Sequence, residues 1–306
     1  MNTDIKSIGT ELKKRLHEST VLLDEPMSEH TTFKAGGTAS LFVEAASKKD
    51  ICSAIQFARS NKINYYILGR GSNVLVSDSG VSGIVIHIGK SLADIKADNT
   101  KIVAQAGAFN KQVANVALEA GLSGFEFAHG IPGSIGGAAV MNAGAYGGEF
   151  KDVCKSVTCY DPKTDEIVEL NNKQAAWSYR HSAIIENKLV VLEVELELEK
   201  GSKESIKAKM DELANKRREK QPLDKPSAGS TFKRPEGHFA GKLIQDANMQ
   251  GYTCGDAQVS PKHAGFIVNN GKASAAEIYQ CICDVKSAVK EQFNVELECE
   301  VRLWGF

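Results

Sequence analysis

The chain has 306 residues, 42% of them hydrophobic and 25% charged, with a formal net charge of -1. That length holds roughly two or three domains with cores of their own. The near-zero charge argues against nucleic-acid and anionic-membrane partners, and no apolar run approaches the about 20 residues of a membrane span.

Residues 1–16 read as a polar helix without the apolar core of a secretory signal, so a cytoplasmic location is expected. An apolar strand over residues 40–45 follows the glycine pair Gly36-Gly37. Ser47 then caps a helix whose stripe is Ile51, Ala54, Ile55 and Ala58, ending near Asn61. A short buried strand, residues 65–68, runs into Gly69-Arg70-Gly71-Ser72-Asn73, and another strand covers 84–88. The turn lacks the third glycine of the dinucleotide fingerprint, since Val74 stands there, and strand rather than helix follows. A Rossmann unit is therefore not expected, while a phosphate loop of another fold stays open.

Residues 102–106 read as a strand, and Asn110 as the cap of a helix reaching Gly121. The segment from Gly130 to Gly148 then carries seven glycines and no Lys, Arg or Asp. So much glycine marks backbone that bends tightly or comes close to another molecule, and bare N–H groups can nest an anion. A turn-rich surface loop and a ligand cradle both fit the segment. A hairpin is expected from residues 153–160 and 167–170. In residues 189–199, Leu192, Val194, Leu196 and Leu198 alternate with four glutamates that read as a solvated face. A charged helix over 205–220 buries Ile206, Met210 and Leu213 and stops at Pro222, marking a domain boundary. Beyond it lie a glycine-bearing turn around Ser230, a loop and strand over 259–269, and a helix from Ser274 with Ile278, Ile282, Val285 and Val289 in register. A strand over 295–303 closes the chain, with Glu296, Glu298, Glu300 and Arg302 on one face.

Seven cysteines, at 52, 154, 159, 254, 281, 283 and 299, contain no CxxC pair and read as small buried hydrophobes in a reducing compartment. The seven histidines show neither HxH nor HExxH spacing, so no metal site is expected. No Gly-x-Ser-x-Gly elbow supports a serine hydrolase. Arg180, in Ser178-Tyr179-Arg180-His181-Ser182, is either a surface ion-pair residue or a bidentate grip on a carboxylate. Ser230 is either a turn former or a hydroxyl held on constrained backbone.

Taken together, these motifs resemble the UDP-N-acetylenolpyruvoylglucosamine reductase family. The resemblance rests on Gly69-Arg70-Gly71-Ser72-Asn73, on residues 130–137 with Met141-Asn142-Ala143-Gly144-Ala145-Tyr146-Gly147, and on Tyr179-Arg180-His181-Ser182. Ala228-Gly229-Ser230-Thr231-Phe232-Lys233 and Glu298-Cys299-Glu300-Val301-Arg302 complete it, in the family's order. The match runs from about residue 25 to 306. It implies an α+β chain with a vanillyl-alcohol-oxidase-type (PCMH-type) FAD-binding fold of two lobes and a C-terminal α/β substrate-binding lobe. The expected segments are 1–90, 91–212 (joined by 302–306) and 213–301. It implies non-covalent FAD, NADPH as co-substrate, and UDP-N-acetylglucosamine enolpyruvate as substrate, reduced to UDP-N-acetylmuramate for peptidoglycan. Hydride would pass from flavin N5 to C3, and Ser230 would protonate C2 while Arg180 and Glu300 stabilise the enediolate. Gly69, Arg70, Gly71, Ser72, Asn73, Gly130, Ile131, Pro132, Gly133, Ser134 and Gly137 would line the cofactor. Tyr179, Lys220, Arg234, His263 and Arg302 would meet the substrate. The tyrosine loop of other members is missing, which implies the shorter branch. The rival readings are another flavin oxidoreductase of this fold and a non-catalytic nucleotide-binding module.

Overall fold

The expected amino-terminal helix forms as α1 (Ile5–Arg15), burying Ile8 and Leu12. It opens a computed structural model that describes residues 5–306; residues 1–4 of the expected helix lie outside the described residues. An edge strand with no sequence signal, β1 (Thr20–Pro26), precedes β2 (Thr38–Glu44). Ser47 caps α2 (Lys48–Ser60) by accepting the Asp50 N–H at 3.1 Å, and the expected four-residue stripe is buried. Next come β3 (Tyr65–Leu68), β4 (Val74–Val76), β5 (Val81–His87), β6 (Ile95–Asp98) and β7 (Lys101–Gln105). In α3 (Asn110–Glu119) the cap position belongs to Phe109, not Asn110. The Asn110 amide instead turns to the carbonyl of Ile131, at 3.4 Å.

After β8 (Leu122–Ser123), the glycine-rich segment forms the short α4 (Ile135–Val140) and a small hairpin, β9 (Gly144–Ala145) and β10 (Gly148–Glu149). The expected longer hairpin is β11 (Cys154–Asp161) with β12 (Glu166–Asn171). Then follow α5 (Ala183–Glu186), β13 (Val190–Glu197), β14 (Glu199–Lys200) and α6 (Lys203–Lys220). The glutamates of β13 form a ladder of partly exposed ion pairs, Glu193 with Lys48 at 2.7 Å, Glu195 with Lys101 at 3.1 Å and Glu197 with Lys155 at 3.0 Å. The C-terminal part holds β15 (Ser227–Ser230), α7 (Ala240–Asp246), β16 (Thr253–Cys254), β17 (Ala257–Val259), β18 (Phe266–Asn269), α8 (Ala275–Phe293) and β19 (Arg302–Trp304). The closing strand is not continuous over 295–303: its pairing is a single bridge, Phe232 with Cys299, followed by β19. The expected alternation survives as burial, with Leu297 and Val301 inside.

The chain gathers into two compact units. The first comprises the residues up to Leu23, Leu41–Arg70 and Gly83–Arg217; the second comprises Asp24–Ser40, Gly71–Ser82 and Arg218–Phe306. The first contains the sheets β1-β2-β5-β3 and β12-β11-β13-β7-β6 around one apolar core. In the second, α8 packs on the sheet β15-β18-β17-β16. The two early excursions belong to this second unit for identifiable reasons. Asp78 caps α8 with both carboxylate oxygens, each accepting at 2.8 Å from the N–H groups of Ala275 and Ala276. The buried Asn269 amide donates to Phe33 O at 2.9 Å, and β4 pairs in parallel with β19.

All seven cysteines are free thiols. Only Cys154, Cys159 and Cys281 are buried; Cys52, Cys254, Cys283 and Cys299 are half-buried, which corrects the expectation of seven buried hydrophobes. Burial pushes the three inner thiols up to about 12, so they stay protonated and inert. Among the described residues no helix is long and apolar enough to cross a membrane, and no group of three or more His, Cys, Asp or Glu is set to hold a metal ion.

Candidate active site

In the first unit two glycine loops meet. A Cβ on Gly69 would collide with Ser134 Oγ, so only glycine lets the end of β3 approach the start of α4. Ser134 is buried and caps α4, its Oγ accepting the Gly137 N–H at 3.4 Å. Phe109 forms a bridge with Ser134, and the Arg70 guanidinium lies 4.3 Å from the centre of the Phe109 ring. Gly69, Arg70, Gly130, Ile131, Pro132, Gly133, Ser134 and Gly137 therefore gather on this unit.

Backbone donors are scarcer there than glycine content alone suggests. The Ile131 N–H bonds Ala128 O at 3.0 Å, that of Ile135 bonds Ala108 O at 2.7 Å, and that of Gly136 bonds Ala106 O at 2.9 Å. Pro132 has no N–H. The donors left to the loop are those of Gly130, Gly133 and Ser134. Its carbonyls are also held from behind: Arg217 on α6 donates to Gly130 O, and Asn110 N–H to Gly133 O at 3.2 Å.

The second half of the glycine-rich segment holds Arg180 rather than a cradle. Ser178 and His181 exchange two backbone hydrogen bonds, at 3.1 and 3.2 Å, around a tight turn that places Arg180 at φ 54. The Arg180 guanidinium lies 4.9 Å from the Tyr179 ring centre and donates to Gly144 O at 3.3 Å. Asn142, fully buried at φ 45, clamps the turn by donating to Ser178 O at 3.0 Å, and Ser182 Oγ donates to Val140 O at 2.6 Å. Asn142 also donates to Glu149 at 3.0 Å and accepts the Lys151 N–H at 2.9 Å. The Lys151 partner, then the Asn142 amide, hold the Glu149 carboxyl below its ordinary value. The exposed Tyr146 stands at the tip of the β9–β10 hairpin.

The second unit carries Gly71, Ser72, Asn73, Lys220, Ser230, Arg234, His263, Glu300 and Arg302. Gly71, at φ 63, has no room for a Cβ beside His30 O, and its own carbonyl accepts the Thr32 N–H at 3.1 Å. Asn73 donates through Nδ2 to Glu300 O at 3.1 Å, and its carbonyl accepts the Arg302 N–H at 3.0 Å. A residue read as a cofactor contact thus fixes the backbone beneath Glu300 and Arg302. Glu300 N–H donates to Thr231 O at 2.8 Å, which sets Glu300 beside the strand carrying Ser230. Ser230 itself is exposed, at a break in the β15–β18 register behind Gly229 at φ 76.

His263 is half-buried. Its Nδ1 accepts the Gly265 N–H at 3.1 Å, its ring meets Phe266 edge-on at 4.9 Å, and burial pushes its pKa down. That hydrogen bond leaves the proton of the neutral ring on Nε2. Lys220 is exposed at the end of α6, and Arg234 lies over the exposed Phe239 at 4.8 Å.

Sequence reasoning missed Asn142, Arg217 and Asn110. Asn142 lay inside a quoted motif, but its role depends on a partner 36 residues away. Arg217 sat in a helix read only for its apolar stripe.

Residues 39–171 match the FAD binding domain family, and the chain has the PCMH-type FAD-binding fold with an added C-terminal domain. Residues 221–304 match the family described as UDP-N-acetylenolpyruvoylglucosamine reductase, C-terminal domain. The chain is 48% identical over 294 residues to the UDP-N-acetylenolpyruvoylglucosamine reductase of Caldanaerobacter subterraneus subsp. tengcongensis, covering 96% of this chain and 97% of that one. It is 48% identical over 298 residues to that of Clostridium novyi, covering 97% and 96%. A crystal structure of the Thermus caldophilus reductase superposes with a TM-score of 0.79 at 31% identity, covering 94% of this chain and 99% of the other. The chain belongs to the UDP-N-acetylenolpyruvoylglucosamine reductase family.

Proposed function

We propose that this chain is an FAD-containing oxidoreductase that reduces UDP-N-acetylglucosamine enolpyruvate to UDP-N-acetylmuramate, with NADPH as electron source, in peptidoglycan precursor synthesis. Overall, the enol ether, NADPH and one proton become the saturated lactyl ether and NADP⁺. The meeting of Gly69 with Ser134, flanked by Arg70 and Arg217, suits a dinucleotide whose anionic group needs both close backbone and positive charge. Bound FAD supplies the hydride relay between NADPH and the substrate double bond.

The remaining work falls to side chains of this chain. Hydride addition at C3 leaves negative charge spread over C2 and the carboxylate, and stabilising that charge is where binding becomes catalysis. Arg180 supplies a fixed cation to the carboxylate. Glu300 supplies a hydrogen-bonding partner to the same charge, and Ser230 delivers the proton to C2. Tyr179, Lys220, Arg234, His263 and Arg302 bind the nucleotide, His263 as a neutral Nε2–H donor. The observation that supports this reading is the hydrogen bond from Glu300 N–H to Thr231 O at 2.8 Å, which sets the segment carrying Glu300 beside the residue that follows Ser230. Seven free thiols suit a reducing cytoplasm.

The two half-reactions separate the roles. Ser230→Ala should leave flavin bleaching by NADPH unchanged while slowing recovery of colour with the enolpyruvyl nucleotide by about 10²–10⁴-fold. Equal loss in both halves would reject Ser230 as the proton donor. Recovery driven by oxygen alone, indifferent to the nucleotide, would reject the substrate.

A further inference from the structure

Arg180 has a carboxylate of its own protein close by. Glu149 stands directly opposite Gly144 in the β9–β10 hairpin, and a Cβ on Gly144 would strike Glu149 Cγ, so the glutamate side chain lies across that glycine. The carbonyl of the same Gly144 accepts from the Arg180 guanidinium at 3.3 Å. Lys151 does most to hold the Glu149 carboxyl below its ordinary value, and the charge of Arg180 adds to it. An arginine that is to take a substrate carboxylate is poorly served by a resident one, because an Arg–Glu pair formed in the empty site has to break before substrate binds.

The fold directs Glu149 elsewhere. Its Oε2 accepts from Lys151 Nζ at 2.7 Å and from Asn142 Nδ2 at 3.0 Å. Asn142 is fully buried and is also tied to Ser178 O and to the Lys151 N–H, so its amide is fixed in place. Asp152, the other carboxylate of this turn, accepts the Glu149 N–H at 2.8 Å. Lys151 is exposed, where an ion pair adds little to stability, so the consequence of this pair lies in the charge it cancels. Arg180, Lys151 and Glu149 together are net positive; without Lys151 the remaining two are neutral.

We infer that Lys151 is a positioning residue for the substrate-reducing half of the reaction: by pairing with Glu149 it neutralises the carboxylate beside the Gly144–Arg180 contact and keeps Arg180 available to the carboxylate of the enolpyruvyl nucleotide. The inference rests on the reading of Arg180 as the carboxylate-binding cation. Lys151 acts through Glu149 and needs no contact of its own with flavin or substrate.

Three variants of the full flavin-loaded protein test this: Lys151→Met, Lys151→Arg, and Lys151→Met combined with Glu149→Gln. Lys151→Met should raise KM for the enolpyruvyl nucleotide about 3–10-fold, keep kcat within about twofold and leave flavin bleaching by NADPH unchanged. Lys151→Arg keeps the charge and should behave as wild type. Adding Glu149→Gln to Lys151→Met removes the uncovered carboxylate and should bring KM back toward the wild-type value. A purely structural brace predicts the reverse, since the second substitution cannot rebuild a lost contact. A double variant with KM at or above that of Lys151→Met would therefore overturn the inference. So would an unchanged KM in Lys151→Met, or an equal loss in the NADPH half. Thermal midpoints of the variants report any folding defect separately. Arg180→Ala with unaltered KM and colour recovery would instead sink the Arg180 reading itself.

Discussion

Asn142 is the residue on which the Arg180 turn depends most directly, and replacing it with alanine tests that dependence. The side chain is fully buried and makes three hydrogen bonds, to Ser178 O, to Glu149 and from the Lys151 N–H. Two neutral bonds are worth roughly 1 kcal/mol each, and the bond to the carboxylate adds about 1.5 because Glu149 is partly exposed. Alanine at φ 45 adds about 1 kcal/mol of backbone strain that asparagine tolerates better. Asn142→Ala should therefore cost about 4.5 kcal/mol, a large share of a total stability of roughly 5–15 kcal/mol. Asn142→Gly loses the same bonds without the strain and should cost about 1 kcal/mol less. Urea unfolding followed by circular dichroism gives both values. In the folded fraction, colour recovery with the enolpyruvyl nucleotide should fall while NADPH bleaching persists, because the clamp serves Arg180. An alanine variant within 1 kcal/mol of wild type, or glycine no better than alanine, would refute the accounting. Loss of the NADPH step as well would refute the assignment of the clamp to Arg180.

Gly69→Ala forces Ser134 Oγ aside and with it the cap of α4; it should cost about 1–2 kcal/mol and weaken FAD binding, and Ser134→Ala should absorb most of that cost. A double-mutant cycle by thermal unfolding checks this, and simple additivity would contradict it. Asp78→Ala removes both charge-assisted bonds to the first turn of α8 and should cost about 2–3 kcal/mol, with Asp78→Asn near half; hydrogen exchange at Ala275 and Ala276 should quicken in step. His263 predicts a pH effect. Its folded pKa lies below the ordinary 6.5, so the native state resists protonation that the unfolded chain accepts. Its contribution to stability is intact above pH 6.5 and is lost as pH falls through the folded pKa. His263→Gln should remove that part of the pH dependence, and an unchanged profile would contradict it.

What the sequence made legible were features whose cause is local. Ser47 and Ser274 announce helix starts because the capping hydroxyl acts on an N–H three residues on. The alternation over 295–303 holds for Leu297 and Val301, which are buried, and for Glu296, Glu298 and Arg302, which are exposed, while Cys299 and Glu300 are both half-buried; it says nothing of partners, so a continuous strand was expected where a single bridge precedes β19. Asn110 was misassigned for the same reason: its residue type suits a cap, while its partner, Ile131, lies 21 residues away. The excursions 24–40 and 71–82 join the C-terminal residues through contacts such as Asp78 on α8, nearly 200 positions apart, which no local pattern encodes.

The glycine-rich segment shows what such long-range partners change. Read in one dimension it is a single cradle from Gly130 to Gly148. In the fold its first half meets Gly69 and Arg217, and its second half holds the Arg180 turn through Val140, Asn142 and Gly144. Four of the glycines, 130, 133, 136 and 137, lie in the first half, where a side chain on Gly136 would strike Ala106 and Gly133 stands at φ 131. Those at 144, 147 and 148 serve the tight β9–β10 hairpin, where a side chain on Gly148 would strike Phe127. The short α4 joins the two halves, so on the proposed function a bulky substitution at the buried Ala139 should both weaken FAD binding and slow colour recovery with the enolpyruvyl nucleotide, and flavin titration beside the two half-reactions measures both; loss of one without the other would contradict the coupling.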